Sequence, residues 1–175
     1  MADNEKAGLW KNRIVGSGTA NPADIIANPA NWRLHPQAQR DALEGLLNEV
    51  GWVQDVIINK TTGLLLDGHL RVEIALARGE TSIPVKYVEL SVEEEALVLA
   101  TLDPLGAMAT IDAAQYDALL RDVETGNAAV QAMLAKTAQS AGLYEPPGEF
   151  PEYDENIADE VEYIECPQCG HRWPK

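Results

Sequence analysis

The segment Leu64–Leu76 has the sequence LLLDGHLRVEIAL, in which a strand pattern passes directly into a helix pattern. Three consecutive leucines before an Asp-Gly pair predict a short buried strand. From Leu70 onward the apolar residues recur at helical spacing, and Gly79 predicts the end of that helix. The sequence therefore predicts a buried strand, a turn at Gly68 and a helix, in that order.

Gly68 stands between the predicted strand and helix, where a ligand can approach the backbone closely. The N-terminus of a helix presents N–H groups and the positive end of the helix dipole, which together suit a phosphate group. Arg71 lies in the first turn, where a guanidinium can bind phosphate oxygens through two hydrogen bonds. His69 adds a hydrogen-bond donor or a general acid or base. The alternative is an ordinary strand–turn–helix corner in which Arg71 is only a surface charge.

Composition limits the class of protein. With 175 residues, of which 46% are hydrophobic, the chain has room for one domain and an appendage. No apolar run reaches the roughly 18 residues that a membrane span needs, and the N-terminus does not resemble a signal peptide. We therefore expect a cytoplasmic protein with no membrane partner.

The charge distribution is uneven. The net charge is −15, and nine of the 28 acidic residues lie between Glu145 and Glu165. An acidic chain is poorly suited to non-specific binding along a nucleic-acid backbone. Because the remainder of the chain is only moderately acidic, a local basic site is still compatible with the composition.

The order of elements predicts an α+β fold with an appended tail. We expect a flexible leader at 1–20, a main domain at 21–108, a helical extension at 109–144, an acidic Pro-rich linker at 145–163 and a half zinc-ribbon or knuckle at 164–175. Periodicity, caps and breakers predict strands at 24–26, 52–59 and 83–88, and helices at 36–50, 91–104, 127–141 and from Asp112 onward.

The loop Asn28–Pro36 is held by two prolines and carries Trp32, Arg33 and His35. A rigid loop with these side chains could bind a ligand. For Trp32, covering the edge of the core is the preferred interpretation.

Four short motifs occur in an order that is similar to the ParB N-terminal domain family. They are Asn28–Arg33 (NPANWR), Gly51–Gln54 (GWVQ), Asp67–Arg71 (DGHLR) and Ile83–Val85 (IPV). This family belongs to the ParB/sulfiredoxin superfamily and is often labelled "ParB-like nuclease". The resemblance covers roughly Ile25–Met108 and implies a small mixed sheet with flanking helices. A short helical region and an extended acidic tail with a zinc-knuckle-like end would follow.

The resemblance implies a nucleotide site. Chromosome-partition members bind CTP with a Gly-Glu-Arg-Arg loop, and sulfiredoxin binds ATP with a Gly-Cys-His-Arg loop. Here the loop Gly68–Arg71 keeps the first Gly and the last Arg, and it has no cysteine, so sulfiredoxin chemistry is not expected. The implied contacts to CTP or ATP, with Mg²⁺ accompanying the nucleotide, are Arg33, His35, Gln54, Gly68, His69 and Arg71.

Two departures from the family bear on activity. The family's Glu-Asn-x-x-Arg motif is replaced by Leu102–Met108 (LDPLGAM), which lacks the Asn and the Arg. The helices after Asp112 carry only Arg121 and Lys136 as basic residues, too few for a helix-turn-helix DNA reader. The chain is therefore not expected to be a complete partition protein.

Three hypotheses follow for the function. The first is a nucleotide-binding switch or NTPase of phage or mobile-element DNA metabolism, in which Asp67 or Glu73 holds Mg²⁺ or acts as a base. The second is a metal-dependent nuclease at the same site, with Asp67, His69 and Glu73 as its catalytic candidates. The third is a non-enzymatic adaptor whose acidic tail and knuckle recruit a DNA-processing partner such as a methyltransferase or terminase.

The C-terminal motif Cys166–Trp173 (CPQCGHRW) predicts a zinc knuckle, because two thiolates at this spacing can bind one tetrahedral ion. The tail Phe150–Trp173 is similar to that of phage and prophage members of the family, which implies a bacterial or phage-infected host. A structural zinc site needs four ligands, and only Cys166, Cys169 and His171 are available nearby. Two chains could instead pool their cysteines, which would make a homodimer. The alternative is a short tail with two free thiols.

Overall fold

The computed structural model describes residues 10–143 and 163–175. The chain divides into two compact units, Met1–Tyr144 and Glu145–Lys175. Within the described residues, no helix has both the length and the apolar character needed to cross a lipid bilayer. The predicted linker at 145–163 lies outside the described residues except for its last residue.

A four-stranded mixed sheet forms the centre of the first unit, with strand order β1-β4-β2-β3. Its strands are β1 (Ile14–Ala20), β2 (Val56–Asn59), β3 (Leu65–Asp67) and β4 (Ile83–Val88). β2 pairs with β4 in parallel, whereas the other two pairings are antiparallel. The predicted α+β class with a small mixed sheet and flanking helices is confirmed.

The described residues also form five α-helices: α1 (Gln37–Glu49), α2 (His69–Arg78), α3 (Val92–Ala107), α4 (Ala113–Arg121) and α5 (Ala128–Ser140). The side chains of Ser91, Asp112 and Asn127 cap the N-termini of α3, α4 and α5 respectively, as the sequence patterns predict. The predicted end of α3 at its proline is wrong, because the helix continues for three residues beyond it.

The core explains why the segment at Leu64–Leu76 folds as predicted. Leu65 on β3 is 1% exposed, and it packs with Val56 of β2 and Val72 of α2 in one buried cluster. Ile83 and Val85 of β4 also belong to that cluster. Burying a side chain of this size contributes about 1.5–3 kcal/mol, so β3 and the first turns of α2 are held firmly against the sheet.

The predicted first strand at 24–26 is wrong, and so is the predicted flexible leader over residues 14–20; its residues 1–9 lie outside the described part of the chain. Residues Ile14–Ala20 form β1, an edge strand that pairs with the whole of β4. Pro22–Asp24 instead forms a short 3₁₀ helix, and Ile26 makes only an isolated parallel bridge to Leu64. The sequence of β1, IVGSGTA, has two glycines and is mostly exposed, so it lacks the alternating apolar pattern that identifies a half-buried strand.

The helical extension packs on the main domain through α1 and α5. The carboxylate of Glu49, at the end of α1, accepts backbone N–H bonds of 3.1 Å from Gly126 and Asn127. Thr125 also donates its hydroxyl to Glu49, at 2.7 Å. This carboxylate therefore binds the segment that leads into α5.

The second unit is a small hairpin of β5 (Tyr163–Glu165) and β6 (Arg172–Pro174), paired antiparallel. The two cysteines lie in the turn that joins these strands. Two backbone hydrogen bonds close the turn, from Cys166 N–H to His171 O and from Gly170 N–H to Cys166 O, both 2.9 Å. Gly170 has a φ of 71°, a left-handed conformation that glycine adopts at little cost.

Candidate functional site

A cavity of about 420 Å³ opens where β3 passes into α2, and it is the candidate functional site. The loop before α1, α1 itself, the segment from Gln54 into β2 and the second half of α3 also line it. All six residues that the resemblance implies as nucleotide contacts line this one cavity: Arg33, His35, Gln54, Gly68, His69 and Arg71. Three separate parts of the chain thus bring these side chains together.

Gly68 is required at its position by both conformation and space. Its φ is 95°, and a Cβ placed on it would lie 2.7 Å from Cγ1 of Val56. α2 begins at the next residue, and no side chain caps its N-terminus. Gly68, His69 and Leu70 line the cavity, so the first turn of α2 lies at its wall without a side-chain acceptor at the cap.

Arg71 is fixed by three acceptors on the cavity wall. Its guanidinium donates to Asp67 Oδ2 at 2.8 Å, to Gln54 Oε1 at 3.1 Å and to the carbonyl of Asp55 at 3.5 Å. The side chain is only 14% exposed. Its Nε is buried and has no hydrogen-bond partner among the described residues.

Arg33 reaches the cavity from the loop before α1 and forms an ion pair with Asp103 on α3. Its Nε is also buried without a hydrogen-bond partner in the described part of the chain. Asp103 lines the cavity too, and sequence reasoning missed it. Because Asp103 stands within LDPLGAM, it was visible only as part of a lost family motif, and its distance in sequence from Arg33 conceals the pairing.

Trp32, next to Arg33, binds α3 rather than pointing at a ligand. Its indole Nε1–H donates to the carbonyl of Leu99 at 3.2 Å, and the Arg33 guanidinium lies 5.9 Å from the ring centroid. Trp32 is 59% exposed, so the preferred interpretation, in which it covers the edge of the core, stays a prediction; the structure shows only its hydrogen bond to α3. This hydrogen bond also braces the loop that carries Arg33.

His69 presents one defined face to the cavity. The backbone N–H of Asn28 donates to His69 Nε2 at 3.4 Å, so that nitrogen acts as the acceptor and the ring proton lies on Nδ1. Burial, followed by the nearby Arg33 charge, lowers the pKa of His69 below its usual 6.5. The imidazole is therefore neutral near pH 7, with its one N–H on Nδ1.

Glu95 is a buried carboxylate behind the site, and sequence reasoning missed it as well. It is 6% exposed and accepts side-chain hydrogen bonds from Asn28 at 3.0 Å, Asn59 at 2.6 Å and Thr62 at 2.5 Å. Its position four residues before Leu99, on the buried face of α3, was the signal that could have found it. Since Asn28 also contacts His69, this network holds the ligand-facing loop against α3.

Glu73 does not join the site. It lies one turn further along α2, does not line the cavity, and pairs with Arg40 of α1. Asp67 lines the cavity but is already engaged by Arg71. No group of three or more His, Cys, Asp or Glu side chains in residues 10–143 and 163–175 is arranged to hold a metal ion. The three catalytic candidates Asp67, His69 and Glu73 are therefore not brought together as a metal-holding group.

The cysteine turn has features of its own. Hydrogen bonds from the backbone of Gln168 and Cys169, and from the Cys169 side chain, lower the pKa of the Cys166 thiol. The ring of His171 stacks on Trp173, with centroids 6.1 Å apart. Both cysteines are free thiols here, and the zinc hypothesis remains a prediction.

Comparisons with known proteins identify the fold. No protein-family model and no curated protein matches the chain. Its structure is similar to that of the C-terminally truncated chromosome-partitioning protein ParB from Caulobacter crescentus, complexed with CTP-γ-S. The TM-score is 0.51 at 18% identity, over 73% of this chain and 89% of that one. A Pnob8-like ParB N-domain gives 0.45 at 15% identity, over 94% of this chain and 59% of that one. On its likeness to the Caulobacter protein, the fold of this chain is ParB-like.

Proposed function

We propose that the chain binds a nucleotide, CTP or ATP, in the cavity between β3, α2, α3 and the loop before α1. The phosphates lie at the N-terminus of α2. On the sequence resemblance alone, we extend the proposal to a role in phage or mobile-element DNA metabolism. Catalysis is not part of the proposal.

One observation carries it: two arginines from distant parts of the chain meet in one cavity at an uncapped helix N-terminus. Arg33 and Arg71 each have a buried Nε donor without a protein acceptor in the described residues. Buried donors of this kind are costly unless a ligand or water satisfies them. The volume of about 420 Å³ is within the usual range for small-molecule sites. The Caulobacter ParB of the same fold was solved with CTP-γ-S, which supports the choice of ligand class.

Each part of the wall has a role in this proposal. The backbone after Gly68 and the guanidinium of Arg71 bind phosphate oxygens, and Arg33 binds them from the opposite wall. His69 donates through Nδ1. The side chains of His35 and Gln54, at the rim of the cavity, contact the sugar or the base.

Magnesium enters with the nucleotide in this proposal. Mg²⁺ is usually bound by one or two carboxylates together with substrate phosphates, and the cavity wall offers Asp67 and Asp103. Each of these carboxylates is already paired with an arginine. Mg²⁺ therefore binds as a complex with the nucleotide phosphates, and the chain alone does not hold the ion.

Calorimetric titration of CTP, ATP and GTP, each with Mg²⁺, tests the proposal. One nucleotide should bind with micromolar Kd, and Arg71→Lys should weaken it because a lysine cannot make the same forked hydrogen bonds while it keeps the charge beside Asp67. Arg78→Lys is the matched control: it makes the same exchange at the other end of α2, outside the cavity. No heat with any nucleotide, or equal losses in both variants, would contradict nucleotide binding.

Nucleic-acid phosphate is the alternative ligand for the same donors. A fluorescently labelled single-stranded oligonucleotide, titrated in the same buffer, distinguishes it from a free nucleotide. If neither ligand binds, the adaptor hypothesis becomes the leading one. Its acidic segment lies outside the described residues, so a partner such as a methyltransferase or terminase is a prediction from sequence only.

A further inference from the structure

The cysteine turn between β5 and β6 is shaped for a metal-bound thiolate pair. Cys166 stands at the start of the turn and Cys169 lies near its end, directly before Gly170, whose φ is 71°. The turn itself is closed by the paired bonds between Cys166, Gly170 and His171. A two-residue spacing then allows both sulfurs to reach one ion.

This turn supplies only half of a structural zinc site. The whole sequence has two cysteines, and both are in the turn. No third His, Cys, Asp or Glu joins them to form a metal-holding group within the described parts of the chain. His171 is the nearest candidate, and its ring stacks on Trp173 while its carbonyl accepts the Cys166 N–H. Closed zinc sites have four protein ligands, so two are lacking.

We propose that Cys166 and Cys169 bind one Zn²⁺ together with the same two cysteines of a second copy of this chain. A two-fold axis through the ion supplies two plus two thiolates in a tetrahedron, which is the simplest closed solution for identical half-sites. The four thiols release their protons to solvent as the ion binds, and no oxidation is involved.

The exposed apolar side chains of the β5–β6 hairpin favour contact with a second copy of this chain. Ile164 and Trp173 are register partners in the β5–β6 ladder, so their side chains lie on one face, where they are 42% and 40% exposed. Tyr163, paired with Pro174, is 53% exposed on the other face. Apolar side chains on so small a hairpin become buried when two copies meet around the ion, and they shield it from water.

Native mass spectrometry and zinc analysis of the full chain, purified without chelator and kept in a non-thiol reductant, test the proposal. We expect about half a zinc ion per chain and a dimer of two 19.0 kDa chains. Cys166→Ser should abolish both the zinc and the dimer, whereas His171→Ala should leave both. Replacing zinc with Co²⁺ should give the visible absorption of a tetrahedral four-thiolate centre in the dimer only.

Three results would overturn the proposal. A monomer with one zinc per chain that is lost in His171→Ala would mean a one-chain site. A protein without zinc, even after zinc is added back, would mean two free thiols. A dimer that persists in Cys166→Ser or after chelation would have a different interface. None of these results bears on nucleotide binding, since the residues concerned lie in the other unit.

Discussion

The ion pair between Arg33 and Asp103 leads to a quantitative prediction: removing the charge of Asp103 should strengthen anion binding. Asp103 neutralises one of the two arginines on the cavity wall, and Asp67 neutralises the other. The wall is therefore close to neutral, although its geometry suits phosphate. Asp103→Asn removes one of these carboxylates with little change in shape, so the variant should bind anions more tightly than the wild type.

The size of the effect follows from charge and exposure. Two unit charges about 4 Å apart interact by about 4 kcal/mol at an effective dielectric constant of about 20, and by about 1 kcal/mol in water. The side chains of Arg33 and Asp103 are 26% and 38% exposed, so solvent screens the pair. We expect a gain of about 1–2 kcal/mol, or about 5- to 30-fold in Kd. Loss of a partly exposed ion pair should lower the free energy of unfolding by only about 0–1 kcal/mol.

The assay is calorimetric titration of inorganic pyrophosphate in EDTA at low salt, which removes any role of Mg²⁺. Asp117→Asn is the control, because it removes the same charge from an Asp–Arg pair on α4, away from the cavity. Urea unfolding of both variants verifies that they fold. The reasoning is refuted if Asp103→Asn binds pyrophosphate no better than the wild type, or if the control gains as much.

Three further predictions concern the support of the site. Glu95→Ala should lower the free energy of unfolding by about 3 kcal/mol, measured by urea unfolding, because it leaves the buried amide donors of Asn28 and Asn59 without an acceptor. A loss below about 1 kcal/mol would contradict this. Since the pKa of His69 is lowered in the folded chain, the unfolded chain binds more protons below about pH 6.5, and stability should fall between about pH 7.5 and 5.5. This fall should be smaller in His69→Gln, and an unchanged slope would rule out the mechanism. Gly68→Ala should cost about 1–3 kcal/mol more than Gly63→Ala, because both strain a left-handed backbone but only the first meets Val56; equal costs in thermal unfolding would refute the clash.

The sequence predicts best what is local in the chain. The strand, the glycine and the helix at Leu64–Leu76 are adjacent, so their pattern could be interpreted without knowing the rest of the fold. β1 could not be found in this way, since an exposed edge strand with two glycines takes its structure from its partner β4. Asp103 meets Arg33 only through tertiary folding, and no periodicity relates them. Glu95 is a charged residue on an apolar helix face, and that pattern is visible in the sequence. Its role as a buried acceptor is not visible there, because its three donors, Asn28, Asn59 and Thr62, are distant in sequence.

The pairing of β1 with β4 has a consequence for any shortened version of this chain. Removal of the first twenty residues, at the boundary that the sequence predicted, would strip a whole strand from the sheet. β4 would then become an edge, and its backbone N–H and C=O groups opposite Ile14–Ala20 would lose their partners. An open edge of that kind recruits strands from other molecules, so self-association would follow from the truncation itself and could be mistaken for a property of the intact protein.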